Sequence, residues 1–220
     1  MQFKIDLKIF LIALIFLLTK HIEIYVILML FAFLHEMGHF ICGMIIGLKP
    51  KSVSIIPFGF KLGFEITCSD YNKKVKRGTM LTLKEIVIAS AGPITNLLCI
   101  LIIILVKDKF HLLETEYQNM IYANLMLIIF NLIPIYPLDG GRIVKGILHI
   151  FVGLKESYEY INAITKINIC LLTAISSILI IYYKNIAILL VIIYLWYLVY
   201  KTYKENEIKR KVYEKIKNNL

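Results

Sequence analysis

Two histidines four residues apart, with a glutamate beside the first, make His35-Glu36-Met37-Gly38-His39 the segment of this chain best equipped for chemistry. On a helix this spacing puts both imidazoles on one face, one turn apart, where each can offer a ring nitrogen to the same metal ion. Glu36 then lies about 60° round from His39 and flanks that ion. A metal that activates water next to a carboxylate able to take its proton is the apparatus of hydrolysis. The segment lies inside an apolar run, residues 22–47, long enough to cross a bilayer. Imidazoles and a carboxylate are costly in hydrocarbon and persist there when they line a pathway or a site. That cost argues against histidines that are merely satisfied by neighbouring helices.

Zinc hydrolases commonly hold their metal with three protein ligands and leave a fourth position to water, so a third ligand must be sought. Asp139 is the candidate. It follows Asn131-Leu132-Ile133-Pro134-Ile135-Tyr136-Pro137-Leu138 and precedes Gly140-Gly141-Arg142, where two prolines and two glycines interrupt an apolar stretch. Broken backbone at membrane depth is tolerated where it is buried in protein or lines a polar cavity. The competing reading makes Asp139 the N-cap of the helix that follows. A further element, Ala91-Gly92-Pro93-Ile94-Thr95-Asn96, is expected to break its helix at Gly-Pro and to place the Asn96 amide in an apolar setting. Taken alone it reads as a kinked packing helix. Gly43 and Gly47 form a GxxxG pair suited to close helix packing; alternatively, Gly47 only ends the helix before Lys49-Pro50.

The elements that must position these residues are membrane helices. Of the 220 residues 59% are hydrophobic and only 18% charged, with mean hydropathy +0.76, which excludes an ordinary water-soluble enzyme. Apolar stretches fall at 5–19, 22–47, 86–106, 119–135, 165–183 and 185–200, which predicts an all-α polytopic membrane protein of about six spans. The first stretch has no small-residue cleavage site after it and reads as a retained helix. Residues 1–200 make one domain, and 201–220 a basic cytosolic tail. Residues 1–8, 49–84, 142–166 and 201–217 carry 21 of the 25 lysines and arginines, so both termini and the 48–84 loop are expected in the cytosol. The net charge of +10 then reports topology and contact with anionic lipid, with no nucleic-acid partner. Cys42, Cys68, Cys99 and Cys170 show no CxxC pairing and are expected to be packing residues.

Together, and in this order, HEMGH, AGPITN and NLIPIYPLDGGR resemble the site-2 protease family of intramembrane zinc metalloproteases, peptidase M50. The motifs cover about 23 residues directly, while their placement on the second, third and fourth spans extends the likeness over the chain. The resemblance implies one zinc ion per chain held by His35, His39 and Asp139, Glu36 as catalytic base, and Asn131 as partner of the substrate carbonyl or its oxyanion. It also implies a membrane-associated protein substrate and a regulatory membrane protein. The connection at 107–118 is too short for the PDZ domain of other branches. The layout looks most like the stage IV sporulation protein FB group of the bacterial cell membrane, whose members cleave a sigma-factor precursor, though without that group's CBS domain. A polytopic metal transporter or a non-cleaving relative would share intramembrane ligands. Neither requires a glutamate next to the first histidine, and the chain has no internal repeat of the kind transporters use.

Between the second and third spans, residues 52–67 are rich in β-branched and aromatic residues around a Pro-x-Gly turn signal. A membrane-associated β-hairpin is expected there, either clamping an extended substrate by strand addition or covering the site.

Overall fold

The computed structural model describes residues 2–5, 22–56, 59–65, 79–107, 109, 113–183 and 186–218. These residues are mostly helical. They form β1 (Gln2–Ile5), α1 (Ile22–Ile45), β2 (Lys49–Ile56), β3 (Gly59–Glu65), α2 (Thr79–Val106), α3 (Glu114–Leu132), α4 (Asp139–Val152), α5 (Leu154–Tyr183) and α6 (Ile186–Asn218). The chain divides into two compact units, Met1–Asn131 and Leu132–Leu220, each with its own packing.

Three helices, α1, α2 and α5, are long and apolar enough to cross a membrane. Their outward surfaces are oily: Val26 is 58% exposed, Leu105 80% and Ile181 78%, which suits hydrocarbon as the surrounding solvent. The α3 and α6 segments, expected as spans at 119–135 and 185–200, are helical, but α3 opens with Glu114 and Glu116 and the second half of α6 is densely charged. Of the first expected span, Ile5 ends β1 and the rest lies outside the described residues.

In the first unit α1 buries one face, through Tyr25, Ala32, His35, His39 and Gly43, the spacing of three and four that a helix demands. Phe31 of α1, Ile103 of α2 and Ala123 of α3 form the apolar core, flanked by Leu28, Cys99 and Met120. The helix α2 runs unbroken through Pro93, contrary to the break expected at Gly92-Pro93, and begins at Thr79 rather than near 86. A proline removes a single N–H, and the remaining bonds of a 28-residue helix carry across it. Gly47 does not belong to a packing pair. Its φ is +88°, nothing lies within 4 Å of where a Cβ would be, Gly47 N–H bonds Met44 O and Leu48 N–H bonds Gly43 O. That is a Schellman C-cap, which turns the chain out of α1 into β2. The strands pair in the order β1-β2-β3, β1 parallel and β3 antiparallel to β2, with Val53 opposite Leu62 and Ile55 opposite Phe60. Both β2 and β3 contact α1. The expected turn residues Pro57 and Phe58, and the hairpin's last residues Ile66 and Thr67, lie outside the described residues.

The second unit packs α4 on α5 and α5 on α6. Ile135, Ile161, Ile169 and Leu195 are its fully buried apolar side chains. The segment between α3 and α4 folds tightly: Ile135 N–H bonds Ile133 O, Leu138 N–H bonds Ile135 O, and Tyr136 N–H donates to Thr165 Oγ1 at 3.0 Å. Among the described residues Cys42, Cys99 and Cys170 are free.

Candidate metal centre

His35 and His39 project from one face of α1, both nearly fully buried, with ring centroids 4.8 Å apart and planes at 85°. Each Nδ1 is engaged by α2. His39 Nδ1 lies 2.6 Å from the Ile88 carbonyl, which can only accept, so Nδ1 carries the proton. His35 Nδ1 lies 2.7 Å from Asn96 Oδ1. Ligand histidines are oriented in this way, one ring nitrogen donated to a fixed acceptor and the other left for the ion.

Two glycines let α1 and α2 approach closely enough for this. A Cβ on Gly38 would collide with Thr95 Oγ1 and lie 3.0 Å from Ala91 O. One on Gly92 would lie 2.5 Å from His35 Nε2 and from both Nε2 and Cε1 of His39. The Nε2 atoms of the two histidines therefore converge on the bare backbone of Gly92. Glu36, between them in the chain, is half-buried.

In the second unit Asp139 is the first residue of α4 and is 5% exposed. It is not the cap: Leu138 occupies that position, with no side-chain cap bond, so the N-cap alternative falls away. The carboxylate sits instead at the positive end of the helix dipole, and the Arg142 guanidinium lies 3.9 Å from Oδ1; both favour a negative charge there. Gly140 and Gly141 explain the tight bend before it. A Cβ on Gly140 would run into the Leu132 carbonyl, and one on Gly141 into the backbone of Ile135 and Tyr136.

His35 and His39 in the first unit, and Asp139 in the second, are buried, and each can offer a metal ion one ligand atom. Imidazole nitrogens and a carboxylate are donors of the kind catalytic zinc takes. Asn131 turns back on its own helix, its Nδ2 donating to Leu127 O at 3.0 Å. Sequence reasoning gave Asn96 only a general polar role and passed over Asn124, which accepts the Asn96 Nδ2–H at 3.0 Å and is fully buried. The signal available was an asparagine in an apolar run, seven residues and about two turns before Asn131.

Residues 109–175, which contain Asp139 but not the histidine pair, match the model of peptidase family M50. The chain is 29% identical over 147 residues to a zinc metalloprotease of Methanocaldococcus jannaschii, covering 66% of this chain and 38% of that protein. It is 24% identical over 156 residues to stage IV sporulation protein FB of Bacillus subtilis, covering 71% and 50%. The chain thus spans half or less of the length of these curated relatives. Its fold matches the solved site-2 protease from Methanocaldococcus jannaschii with a TM-score of 0.67 at 21% identity, over 91% of this chain and 90% of that one. By sequence, residues 109–175 are thus similar to peptidase family M50, and by fold most of the chain is similar to a site-2 protease.

Proposed function

We propose that this protein is an intramembrane zinc peptidase that hydrolyses a peptide bond in or near the membrane segment of a membrane-associated protein. The observation that carries the reading is the convergence of two buried imidazoles, each with Nδ1 engaged by α2 and Nε2 directed at Gly92, on a helix long enough to span a bilayer. His35, His39 and Asp139 would hold one zinc ion. When bound, zinc supplies Lewis-acid polarisation of water and of the scissile carbonyl. Glu36 accepts the proton of the attacking water on its carboxylate and returns it to the leaving amine nitrogen. The second Nδ2–H of Asn131, beyond the one given to Leu127 O, is the donor offered to the substrate oxygen.

The finer topology belongs to the same reading. Residues 1–200 form one catalytic domain of about six spans in a bacterial cell membrane, with both termini and the 201–220 tail in the cytosol. The support is the bias of 21 of 25 basic residues to alternate loops. The β2–β3 pair lies at the membrane surface beside α1 and clamps extended substrate. The likeness to stage IV sporulation protein FB makes a sigma-factor precursor the first substrate to try, and a regulatory membrane protein the partner to seek.

Two measurements test this. His35→Ala, His39→Ala and Asp139→Ala, purified in detergent, are each expected to lose both bound zinc and cleavage of a co-expressed membrane substrate, read by elemental analysis and immunoblot. An Asp139→Ala chain with wild-type zinc affinity removes Asp139 from the ligand set. For topology, single reporter cysteines at Lys73 and Glu156 in a cysteine-free chain are expected to label from the cytosolic side, and one at Glu114 from outside. Labelling of positions 73 and 114 from the same side refutes the six-span arrangement.

A further inference from the structure

Three hydrogen bonds link α1, α2 and α3 of the first unit in one line. His35 Nδ1 meets Asn96 Oδ1 at 2.7 Å, Asn96 Nδ2 donates to Asn124 Oδ1 at 3.0 Å, and Asn124 Nδ2 donates to the Met120 carbonyl at 2.9 Å. Asn96 is 1% exposed and Asn124 not at all, so no solvent competes for these groups. Their directions are coupled. A carbonyl only accepts, so Asn124 must turn its NH₂ to Met120 and its oxygen to Asn96. Asn96 must then present its own NH₂ to Asn124 and its oxygen to His35, and His35 must answer with Nδ1–H. The reverse direction would turn the Asn124 oxygen to the Met120 carbonyl, oxygen facing oxygen, leaving buried donors and acceptors unmade.

We infer that Asn124 is a positioning residue which, through Asn96, imposes the Nδ1–H tautomer on His35, the form whose unprotonated Nε2 can ligate a metal ion. The main-chain carbonyl of Met120 on α3 is the anchor of the line. His39 needs no such relay, because its Nδ1 meets a carbonyl directly. One imidazole is thus polarised by backbone at first hand and the other at third hand, through two side-chain amides. This rests on the metal-centre reading for its consequence, though not for the tautomer itself.

The tautomer can be read without metal. In the metal-free, detergent-purified full chain carrying ¹⁵N-histidine, His35 is expected to show a protonated Nδ1 and an unprotonated Nε2, assigned by comparison with a His35→Gln chain. An Nε2–H tautomer for His35 overturns the inference. The coupling is read with Co²⁺ as the probe, from its affinity and its visible d–d absorption. Asn124→Leu is expected to weaken Co²⁺ binding by about 10-fold and to shift the d–d bands, in line with the loss of an outer-shell partner. Asn96→Asp keeps an acceptor for His35 but can no longer donate to Asn124. In that background Asn124→Leu should change affinity by less than about twofold, because the line is already cut. Equal weakening in both backgrounds would mean that Asn124 only supports packing and would overturn the relay. A wild-type chain that binds no Co²⁺ refutes the metal-centre reading and leaves the tautomer result standing on its own.

Discussion

A Glu36→Gln chain is expected to take up one zinc ion like the wild type and to cleave its substrate slower by about 10²–10⁴-fold, the range general acid–base catalysis supplies. Glutamine has nearly the shape of glutamate, and α1 continues on both sides of position 36, so neither His35 nor His39 loses its hydrogen bond to α2. What disappears is the carboxylate that collects a proton from water and returns it to the leaving nitrogen. Zinc content by elemental analysis and substrate half-life by immunoblot separate the two effects. Full cleavage by the glutamine chain would take Glu36 out of the chemistry, and loss of zinc would make it a ligand. Because this variant holds substrate without cutting it, mass spectrometry of what copurifies with it also identifies the physiological target.

The parts of the centre that were legible in the sequence are those where spacing is itself geometry. The step of four positions from His35 to His39 is about one helical turn, and an apolar run long enough to span a bilayer says that the turn is helical. The break before Asp139 was legible for another reason: prolines and glycines announce backbone that a membrane helix would not break without cause, and Gly140 and Gly141 do sit where a Cβ would strike the preceding turn. Pro93 misled by the same logic. It sits inside a continuous α2, and the residue of the pair that the two histidine rings face is Gly92, where a side chain would collide with them. The GxxxG spacing misled as well, since Gly47 is a cap with open space beside it, while the close approach occurs at Gly38 and Gly92. Asn96 and Asn124 were out of reach for a different reason. Their partners lie 61 and 28 residues away, and no local pattern states which buried amide faces which imidazole. The spans were legible as a class rather than as a count, because α1, α2 and α5 each hold an apolar window long enough to span whereas α3 opens on two glutamates and α6 ends in a charged half.

Gly92→Ala is expected to abolish zinc binding while leaving the helices intact. The added methyl carbon would sit 2.5 Å from His35 Nε2 and from two atoms of the His39 ring, about an ångström inside van der Waals contact. Relief can come from moving the rings or from moving the helices. Rotating the rings breaks the 2.6 Å and 2.7 Å bonds that orient them. Separating α1 from α2 instead stretches the same two bonds, because both run from α1 to α2. Either way the two Nε2 atoms cease to present to one ion, and affinity should fall by more than the 10–100-fold typical of losing an outer-shell partner. Stability is a weaker signal, because alanine's better helix propensity of about 0.5–1 kcal/mol offsets part of an overpacking cost of about 1–3 kcal/mol. Gly47→Ala is the informative contrast. Its methyl meets nothing, so zinc binding should be unchanged, and the left-handed φ of +88° should cost about 1–2 kcal/mol in stability. Zinc titration and thermal unfolding of the two variants side by side decide the matter: a Gly92→Ala chain with wild-type zinc affinity would mean that the histidines do not bind metal on the Gly92 side at all.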